Sequence, residues 1–390
     1  MKFILKRLAV ITTHPIQYNS PWFKLLNERG KIQLKVFYTW GETVLQNKFD
    51  PGFDKTIEWD IPLLDGYEYH FVKNISTDPG SHHFNGIDNP GLMNEIEQWN
   101  PDSILVIGWS FKSHLKLLRH FKGKIRLLFR GDSNLLDEPA GFSLKKMVRR
   151  IFLRWVYHHI DMALYVGTAN KGYYLAHGLK NDQLVFAPHA IDNDRFRKVP
   201  LSNERAAHGI PPAAVVFIFT GKFEIKKAPL LLLDAFIQLP NGHAHLLMVG
   251  DGILEDEIKE KVRQQPVTVS SRIHFLPFQN QLSMPAIYSL GDVLVLPSQG
   301  PGETWGLSVN EAMACSKPVL VSDKCGCATD LVKEGLNGYI FSSGDRDELV
   351  KKLELILSNR SKLAEMGKRS LEMVEGWRFE KICEAVEQTC

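Results

Sequence analysis

At 390 residues the chain exceeds what one compact core usually organises, and two domains are the natural expectation. With 44% hydrophobic and 23% charged residues it belongs with ordinary globular proteins and not with disordered or fibrous ones. The net charge of +3 splits into about +7 on residues 1–199 and about −4 on the rest, which suits an anionic surface or substrate but lacks the basic clusters of a nucleic-acid binder.

The start, Met1 to Arg7, breaks its apolar run with charge and does not read as a signal peptide. Leu8 to Thr13 reads as a buried first strand that ends at His14-Pro15-Ile16-Gln17-Tyr18. Pro21 to Arg29 reads as a short helix and Gln33 to Tyr38 as a second strand, so the chain opens in βαβ order. Residues 39–93 are irregular and rich in aromatics, Gly, Pro and Asp. A stretch of that size in a compact domain suggests an acceptor-binding rim, with a strand or two hidden inside it. Further strands are predicted at 101–108, at 125–129 ahead of Arg130-Gly131-Asp132-Ser133, at 162–166 and at 184–188. Between them, Ser143 to Ile160 spaces Leu144, Met147, Val148, Ile151, Phe152 and Trp155 at helical intervals, with Lys145, Lys146, Arg149, Arg150 and Arg154 between them. Two readings stand. Either the apolar stripe packs on the core and the basic residues are solvated, or the helix meets anionic lipid headgroups as part of a peripheral protein.

Ile191 to Pro212 is charged and poor in apolar residues, and reads as a linker. A second α/β series follows. Its strands are predicted at 214–220, 244–249, 272–276, 293–296 and 318–322, with a helix at 229–239 and more helices from Asp345 onward. No apolar run reaches membrane-spanning length. Five cysteines without framework spacing point to a reducing compartment, and Cys325-Gly326-Cys327 lacks the second pair or nearby histidine that would complete a metal site.

The most informative stretch is 297–315. The strand Val293–Leu296 stops at Pro297, a loop with Gly300, Gly302 and Gly306 follows, and good helix formers come next. In a parallel α/β sheet such a junction lies at the carboxyl edge, where ligands bind. Loop amides and a helix N-terminus converging there suit a diphosphate. Glu303 in the loop and Glu311, placed about two turns inside the helix, would accept hydrogen bonds from hydroxyls on either side of it. The competing reading is a helix start with two ordinary surface glutamates.

With these pieces in order, the second half resembles the retaining nucleotide-sugar glycosyltransferases of glycosyltransferase family 4. Glu303 and Glu311 match that family's pair of glutamates separated by seven residues, flanked by Leu-Pro-Ser before and Glu-Ala-Met-Ala-Cys-Ser-Lys-Pro-Val after. Gly221-Lys222 and Lys227 resemble its basic pair, normally Arg then Lys. Gly250-Asp251-Gly252, Pro277-Phe278 and Gly335-Leu336-Asn337-Gly338 fall at familiar places. The resemblance spans residues 185–345 and is looser in the first half, apart from His14 to Tyr18.

It implies the GT-B fold, two doubly wound Rossmann-like domains facing across a cleft. These would be an acceptor domain over 1–192, a linker over 193–212, a donor domain over 213–376, and a C-terminal helix over 377–390 packing back on the first domain. It implies that Lys222 and Lys227 neutralise the donor diphosphate, with the amides near Thr304, Trp305 and Gly306. Glu311 would hold the ribose and Glu303 the donor sugar, with Gly221 and Gly250 in the donor loops and Phe278 by the nucleobase. His14, Gln17, Tyr18, Arg130 and His189 are the corresponding acceptor or cleft candidates.

The chain departs from the family in three places. His14 to Tyr18 replaces a glycine-rich first loop, Arg130 or Asp132 stands where many members carry histidine, and His189 stands where asparagine is usual. Asp132 is therefore a further catalytic candidate. No Asp-x-Asp motif stands at a strand end, and the resemblance implies no metal and no cofactor. The expected function is transfer of a sugar from a UDP- or GDP-sugar to a saccharide or lipid-linked acceptor in bacterial surface polysaccharide or lipopolysaccharide assembly. The setting would be cytoplasmic, on the inner face of the plasma membrane. The alternatives are a nucleotide-sugar epimerase of the same fold and a non-catalytic nucleotide-sugar binding protein.

Overall fold

The computed structural model describes residues 5–41, 48–50, 55–139, 141–198, 204–240 and 242–390. Met1 to Ile4 of the start, and residues 199–203 of the expected linker, lie outside them. The chain divides into two compact units. The first holds Met1–Lys48, Ile61–His189 and Phe379–Cys390, and the second Phe49–Asp60 and Ala190–Arg378.

The first unit is built on seven parallel strands: β1 (Lys6–Thr12), β2 (Ile32–Tyr38), β5 (Glu68–Phe71), β6 (Ser103–Ile107), β7 (Arg126–Arg130), β8 (Met162–Tyr165) and β9 (Leu184–Phe186). β3 (Lys48–Asp50) and β4 (Lys55–Ile57) pair separately as a two-stranded sheet. The seven run in the order β5-β2-β1-β6-β7-β8-β9, with Val10 opposite Val36 on one side and Leu105 on the other. Apolar residues on both faces explain the parallel pairing, because helices cover both sides of such a sheet. β5 is an edge strand with mostly exposed side chains, so no buried alternation announced it.

The helix Phe379–Thr389 belongs to this unit and packs on the helix Ser20–Glu28. Ile382, Cys383 and Val386 are buried there, and the Arg29 guanidinium grips Glu387 with Nε at 2.5 Å and Nη2 at 2.8 Å. Hydrogen bonding to that guanidinium holds the Glu387 carboxyl below its ordinary value.

The second unit carries β10 (Val215–Thr220), β11 (Ala244–Val249), β12 (Ile273–Leu276), β13 (Val293–Leu296), β14 (Val319–Ser322) and β15 (Gly338–Phe341). All are parallel, in the order β12-β11-β10-β13-β14-β15. β10, β11, β13 and β14 are buried at every residue. Asn193–Arg197, expected as linker, forms a short helix within this unit. Phe196 is fully buried, and the Asn193 amide donates to the carbonyls of Val374 and Trp377 at 3.2 and 3.3 Å. The excursion Phe49–Asp60 also joins this unit, although it precedes it by more than a hundred residues. Asn280 donates to the Glu58 carbonyl at 2.6 Å, and the Asp60 carboxylate accepts from the Leu282 amide at 3.0 Å.

Candidate active site

In the second sheet the strand order reverses between β10 and β13, so the loops after these two strands leave the carboxyl edge side by side. That is where an open α/β sheet opens its binding crevice. The loop after β10 is Gly221–Ala228 and the loop after β13 is Pro297–Gly306. Backbone joins them, because the Gln299 amide donates to the Lys226 carbonyl at 2.8 Å and its side chain to the Ile225 carbonyl at 2.9 Å.

Glycines set the close approaches. A Cβ at Gly250 would lie 2.0 Å from the Gly221 carbonyl oxygen, and one at Gly326 would lie 1.7 Å from that of Thr304. Only a residue without a side chain lets these loops stack so tightly. The Gly326 amide then donates to the Glu303 carbonyl and the Cys327 amide to that of Trp305, at 3.2 and 3.0 Å. The helix Leu307–Ala314 starts from Gly306, whose φ of 97° is in the left-handed region. Glu311 is its fifth residue, a little over one turn inside and not two, because the helix begins later than the run of helix formers suggested.

Side chains complete the site. The Lys227 ammonium pairs directly with the Glu303 carboxylate, which also accepts from the Ser298 hydroxyl at 2.9 Å. Burial disfavours charge on Lys227, but the adjacent carboxylate outweighs it and leaves the ammonium pKa above its ordinary value. Lys227 therefore stays a cation at neutral pH, paired with a carboxylate of the neighbouring loop. Glu311 is buried and accepts from the Tyr288 hydroxyl at 2.8 Å. The Tyr288 oxygen lies 2.9 Å from the Thr220 hydroxyl at the end of β10. Trp305 is buried, its indole N–H donating to Asn310 at 2.8 Å, so this residue fixes the loop onto its helix. Phe278 is half-buried, its amide held by Asp251 at 3.0 Å and its ring edge-on to Trp59 at 6.2 Å.

The structure thus brings Gly221, Lys227, Gly250, Glu303, Thr304, Trp305, Gly306 and Glu311 to one sheet edge, with Lys222 in the same loop. Sequence reasoning missed Ser298, Tyr288 and Asp251. Of these Ser298 had a signal, as the polar residue closing a buried strand, and Asp251 stood inside the Gly250-Asp251-Gly252 turn without being given a role, whereas Tyr288 looks like any helical core aromatic. The thiols of Cys325 and Cys327 are buried and pushed up, Cys325 to about 12, so they are packing groups.

The corresponding reversal in the first sheet lies between β1 and β6. Here His14 follows β1, with Nδ1 3.0 Å from the Thr13 hydroxyl and its ring edge-on to Trp40 at 5.1 Å. Gln17 and Tyr18 are half-buried just beyond it. Arg130 is buried at the end of β7, and its guanidinium donates to the carbonyls of Ala187 and Pro188 at 2.6 and 2.8 Å. Burial lowers its pKa to about 10. His189 sits 3.7 Å from the Asp132 carboxylate, and burial lowers its pKa despite that neighbour. His114, unremarked in the sequence, is fully buried between the Gly108 carbonyl (2.7 Å from Nδ1) and the Thr39 hydroxyl (2.9 Å from Nε2). Burial takes it down to about 4.

Residues 202–373 match the family described as glycosyl transferases group 1. Over 218 residues the chain is 26% identical to the D-inositol 3-phosphate glycosyltransferase of Nocardia farcinica, an alignment covering 54% of this chain and 48% of that protein. The chain spans about half the length of the curated relatives it matches. Among solved structures, its fold is similar to that of Anabaena HepE in complex with UDP and glucose. The TM-score is 0.69 at 17% identity, covering 98% of this chain and 99% of the other. It is likewise similar to WaaG, a glycosyltransferase involved in lipopolysaccharide biosynthesis, with a TM-score of 0.67 at 15% identity and 98% of each chain covered. The two parallel sheets with their reversed strand orders thus have the GT-B fold, and the loop carrying Glu303 and Glu311 lies within the stretch that matches the group 1 glycosyl transferases.

Proposed function

We propose that this protein is a retaining glycosyltransferase that moves a sugar from a nucleoside diphosphate donor, UDP- or GDP-linked, to a saccharide or lipid-linked acceptor. The observation that carries the reading is the Lys227–Glu303 ion pair, which joins two glycine-shaped loops at the reversal of the second sheet. As the sugar–phosphate bond breaks, negative charge grows on the departing diphosphate. A preorganised cation and helix amides stabilise that charge more in the transition state than before it. A new bond forms from an acceptor hydroxyl to the same sugar carbon, on the same face, and the hydroxyl proton leaves with the diphosphate. Glu303 would hold the sugar hydroxyls, Glu311 the ribose, Lys222 the outer phosphate oxygens, and Phe278 the base. The positive field comes from lysines and a helix terminus, so the scheme has no role for a metal or cofactor.

The likeness to WaaG, a glycosyltransferase involved in lipopolysaccharide biosynthesis, supports a role in bacterial surface-glycan assembly, in the cytoplasm on the inner face of the plasma membrane. The residues around His14, Gln17, Tyr18, Arg130, Asp132 and His189 would form the acceptor side.

The test begins with thermal shifts against a panel of nucleotide sugars, since a donor that binds the folded state raises Tm. Release of nucleoside diphosphate is then followed with and without candidate acceptors. Release that requires an acceptor, with the anomeric configuration kept in the product, is expected. Release without any acceptor would point to an epimerase or hydrolase, and binding without release to a non-catalytic binding protein.

A further inference from the structure

The carboxyl end of β5 leads into a long loop, residues 72–91, ahead of the helix Leu92–Trp99. The ends of this loop are tied to the first sheet, because the buried Asn89 side chain donates to the carbonyls of Thr39, Val72 and Lys73 at 2.9, 3.0 and 3.1 Å. Its two arms are also tied to each other. Asn74 donates to the Gly86 carbonyl at 2.8 Å and accepts from the amides of Ser76 and Asp88 at 3.0 and 2.9 Å. The Ser76 hydroxyl donates to the Asn85 carbonyl at 2.8 Å, and the Gly80 amide to the Gly86 carbonyl at 3.1 Å. The arms cross so closely that a Cβ at Gly86 would lie 2.1 Å from the Gly80 carbonyl oxygen. The turn from Asp78 to His83 is thus held from both sides.

Three metal-ligating side chains meet at that turn. Oδ2 of Asp78 lies 3.5 Å from Nε2 of His82 and 3.2 Å from Nε2 of His83. All three ligand atoms are within 4.8 Å of one another. Around a tetrahedral zinc ion with ligands at about 2.0–2.1 Å, neighbouring ligand atoms stand about 3.3 Å apart. Both carboxylate-to-imidazole separations match that figure, and closing the imidazole-to-imidazole gap needs only movement of the rings. The His82 ring folds back across Gly80, where a Cβ would lie 2.4 Å from its Nδ1. The backbone carbonyl of Asp78 adds a further oxygen, 3.0 Å from His83 Nε2. The ordinary alternative is a pair of surface salt bridges. Exposed pairs of that kind gain little, and two imidazolium cations with ring centroids 4.5 Å apart would repel each other.

We propose that Asp78, His82 and His83 form a binding site for a divalent transition ion of the zinc class, which pins the tip of this loop. Two imidazoles and one carboxylate favour zinc, cobalt or nickel over magnesium and calcium, which prefer all-oxygen surroundings. Asp78 and His82 are exposed and His83 is half-buried, so an ion enters from solvent and keeps a position for water beside its three protein ligands. The site belongs to the first unit, and the inference stands whether or not the transfer scheme proposed above is right.

The experiment is a zinc titration of the whole chain, carrying no histidine tag and stripped beforehand with a chelator, followed by calorimetry and by competition with a coloured chelator. One zinc equivalent per chain is expected, and excess magnesium should not displace it. Losing even an outer partner of a metal ligand commonly costs about 10–100-fold in affinity. Asp78→Asn, His82→Ala and His83→Ala should therefore each weaken zinc binding by at least about tenfold. Zinc should raise the Tm of the parent and leave that of each variant where it stands in chelator. Cobalt supplies a direct reading of the ligands. Its visible bands should grow to one equivalent in the parent and be lost in each variant, with no thiolate band, because all five cysteines are buried. The inference is overturned by a parent that takes up no zinc equivalent, by an affinity unchanged in all three variants, or by displacement with magnesium. A thiolate-to-cobalt band overturns it as well, since that would place the ion at Cys325 and Cys327. Zinc binding with the expected losses in a chain that transfers no sugar would refute the proposed function and leave the metal site intact.

Discussion

The carboxyl edges of the two sheets share a topology and differ in construction. At each, the strand order reverses, β1 against β6 in one and β10 against β13 in the other. The second edge is shaped by backbone. Gly221, Gly250, Gly306 and Gly326 permit the close approaches, and one cation, Lys227, is held among them by Glu303. The first edge is shaped by buried polar side chains. His114 bridges Gly108 and Thr39, and Arg130 fastens the chain at Ala187 and Pro188. Diphosphates are alike in every nucleotide sugar, so a backbone cradle serves them all. Acceptors differ, and a frame of side chains can change one residue at a time. On the proposed function, the difference separates a generic task from a particular one.

The largest expected effect tests the second edge as a charge-stabilising device. Lys227→Ala should lower kcat by two to three orders of magnitude, about 3–4 kcal/mol, with a smaller loss in donor Kd. Glu311→Ala should do the reverse, weakening donor binding with kcat comparatively preserved, because ribose hydroxyls do not change charge during transfer. Calorimetric Kd beside steady-state rates separates the two. Near-normal turnover in Lys227→Ala with weak donor binding would make the lysine a positioning group and remove the distinction.

A second effect asks whether backbone shape carries the site. Gly326→Ala places a methyl 1.7 Å from the Thr304 carbonyl oxygen, so the loop bearing Glu303 must move. Strain of this kind costs roughly 3 kcal/mol, to be read from denaturant unfolding. A variant as stable as the parent and fully active would show that the cradle is more pliant than its packing implies.

How much of each edge was legible follows from the same contrast. Glu303, Glu311 and the Lys222–Lys227 loop could be read because each pair sits in a short glycine-bearing stretch after a buried strand and resembles the motifs of a known family. The six strands of the second sheet were equally plain except β15, whose four residues follow a glycine turn with little apolar run. The frame of the first edge could not be read that way. Thr39, Gly108 and His114 lie far apart in sequence, and a histidine between a serine and a leucine in an amphipathic helix has no local pattern that marks it as bridging. The helix Leu144–Tyr157 shows a further limit. Periodicity gave its apolar stripe but not which side faced the core, because both sides carry large apolar residues. The excursion Phe49–Asp60 into the second unit had no signal at all.

A third effect belongs to the first edge. His114 is buried neutral with its pKa lowered from 6.5 to about 4, and His177, His189, His245 and His274 are lowered too. Between these values the unfolded chain binds protons that the folded chain refuses. The unfolding free energy should therefore be flat above pH 6.5 and fall as pH drops toward 4, with His114 alone contributing up to about 3 kcal/mol. In His114→Gln, which keeps one donor and one acceptor, the curve should be visibly shallower over that range. An unchanged slope would mean that His114 takes its proton without unfolding and that the first edge is open to water.

The smallest effect returns to the second edge and asks whether it too has a side-chain frame. The Tyr288 hydroxyl donates to Glu311 and lies beside Thr220, so it orients the carboxylate that would receive the ribose. Tyr288→Phe keeps the buried ring and removes the bond to Glu311, worth about 1 kcal/mol net, together with the contacts to the Thr220 hydroxyl at 2.9 Å and the Ser308 carbonyl at 3.4 Å. Donor Kd should weaken about fivefold, matching that energy, while kcat stays within about twofold of the parent because the bond is remote from the charge that develops. The double variant with Glu311→Ala should bind no more weakly than Glu311→Ala alone, since the hydroxyl acts only through the carboxylate. Additive losses in the double variant would assign Tyr288 a contact of its own with the donor, and the second edge would then rely on side chains as the first does.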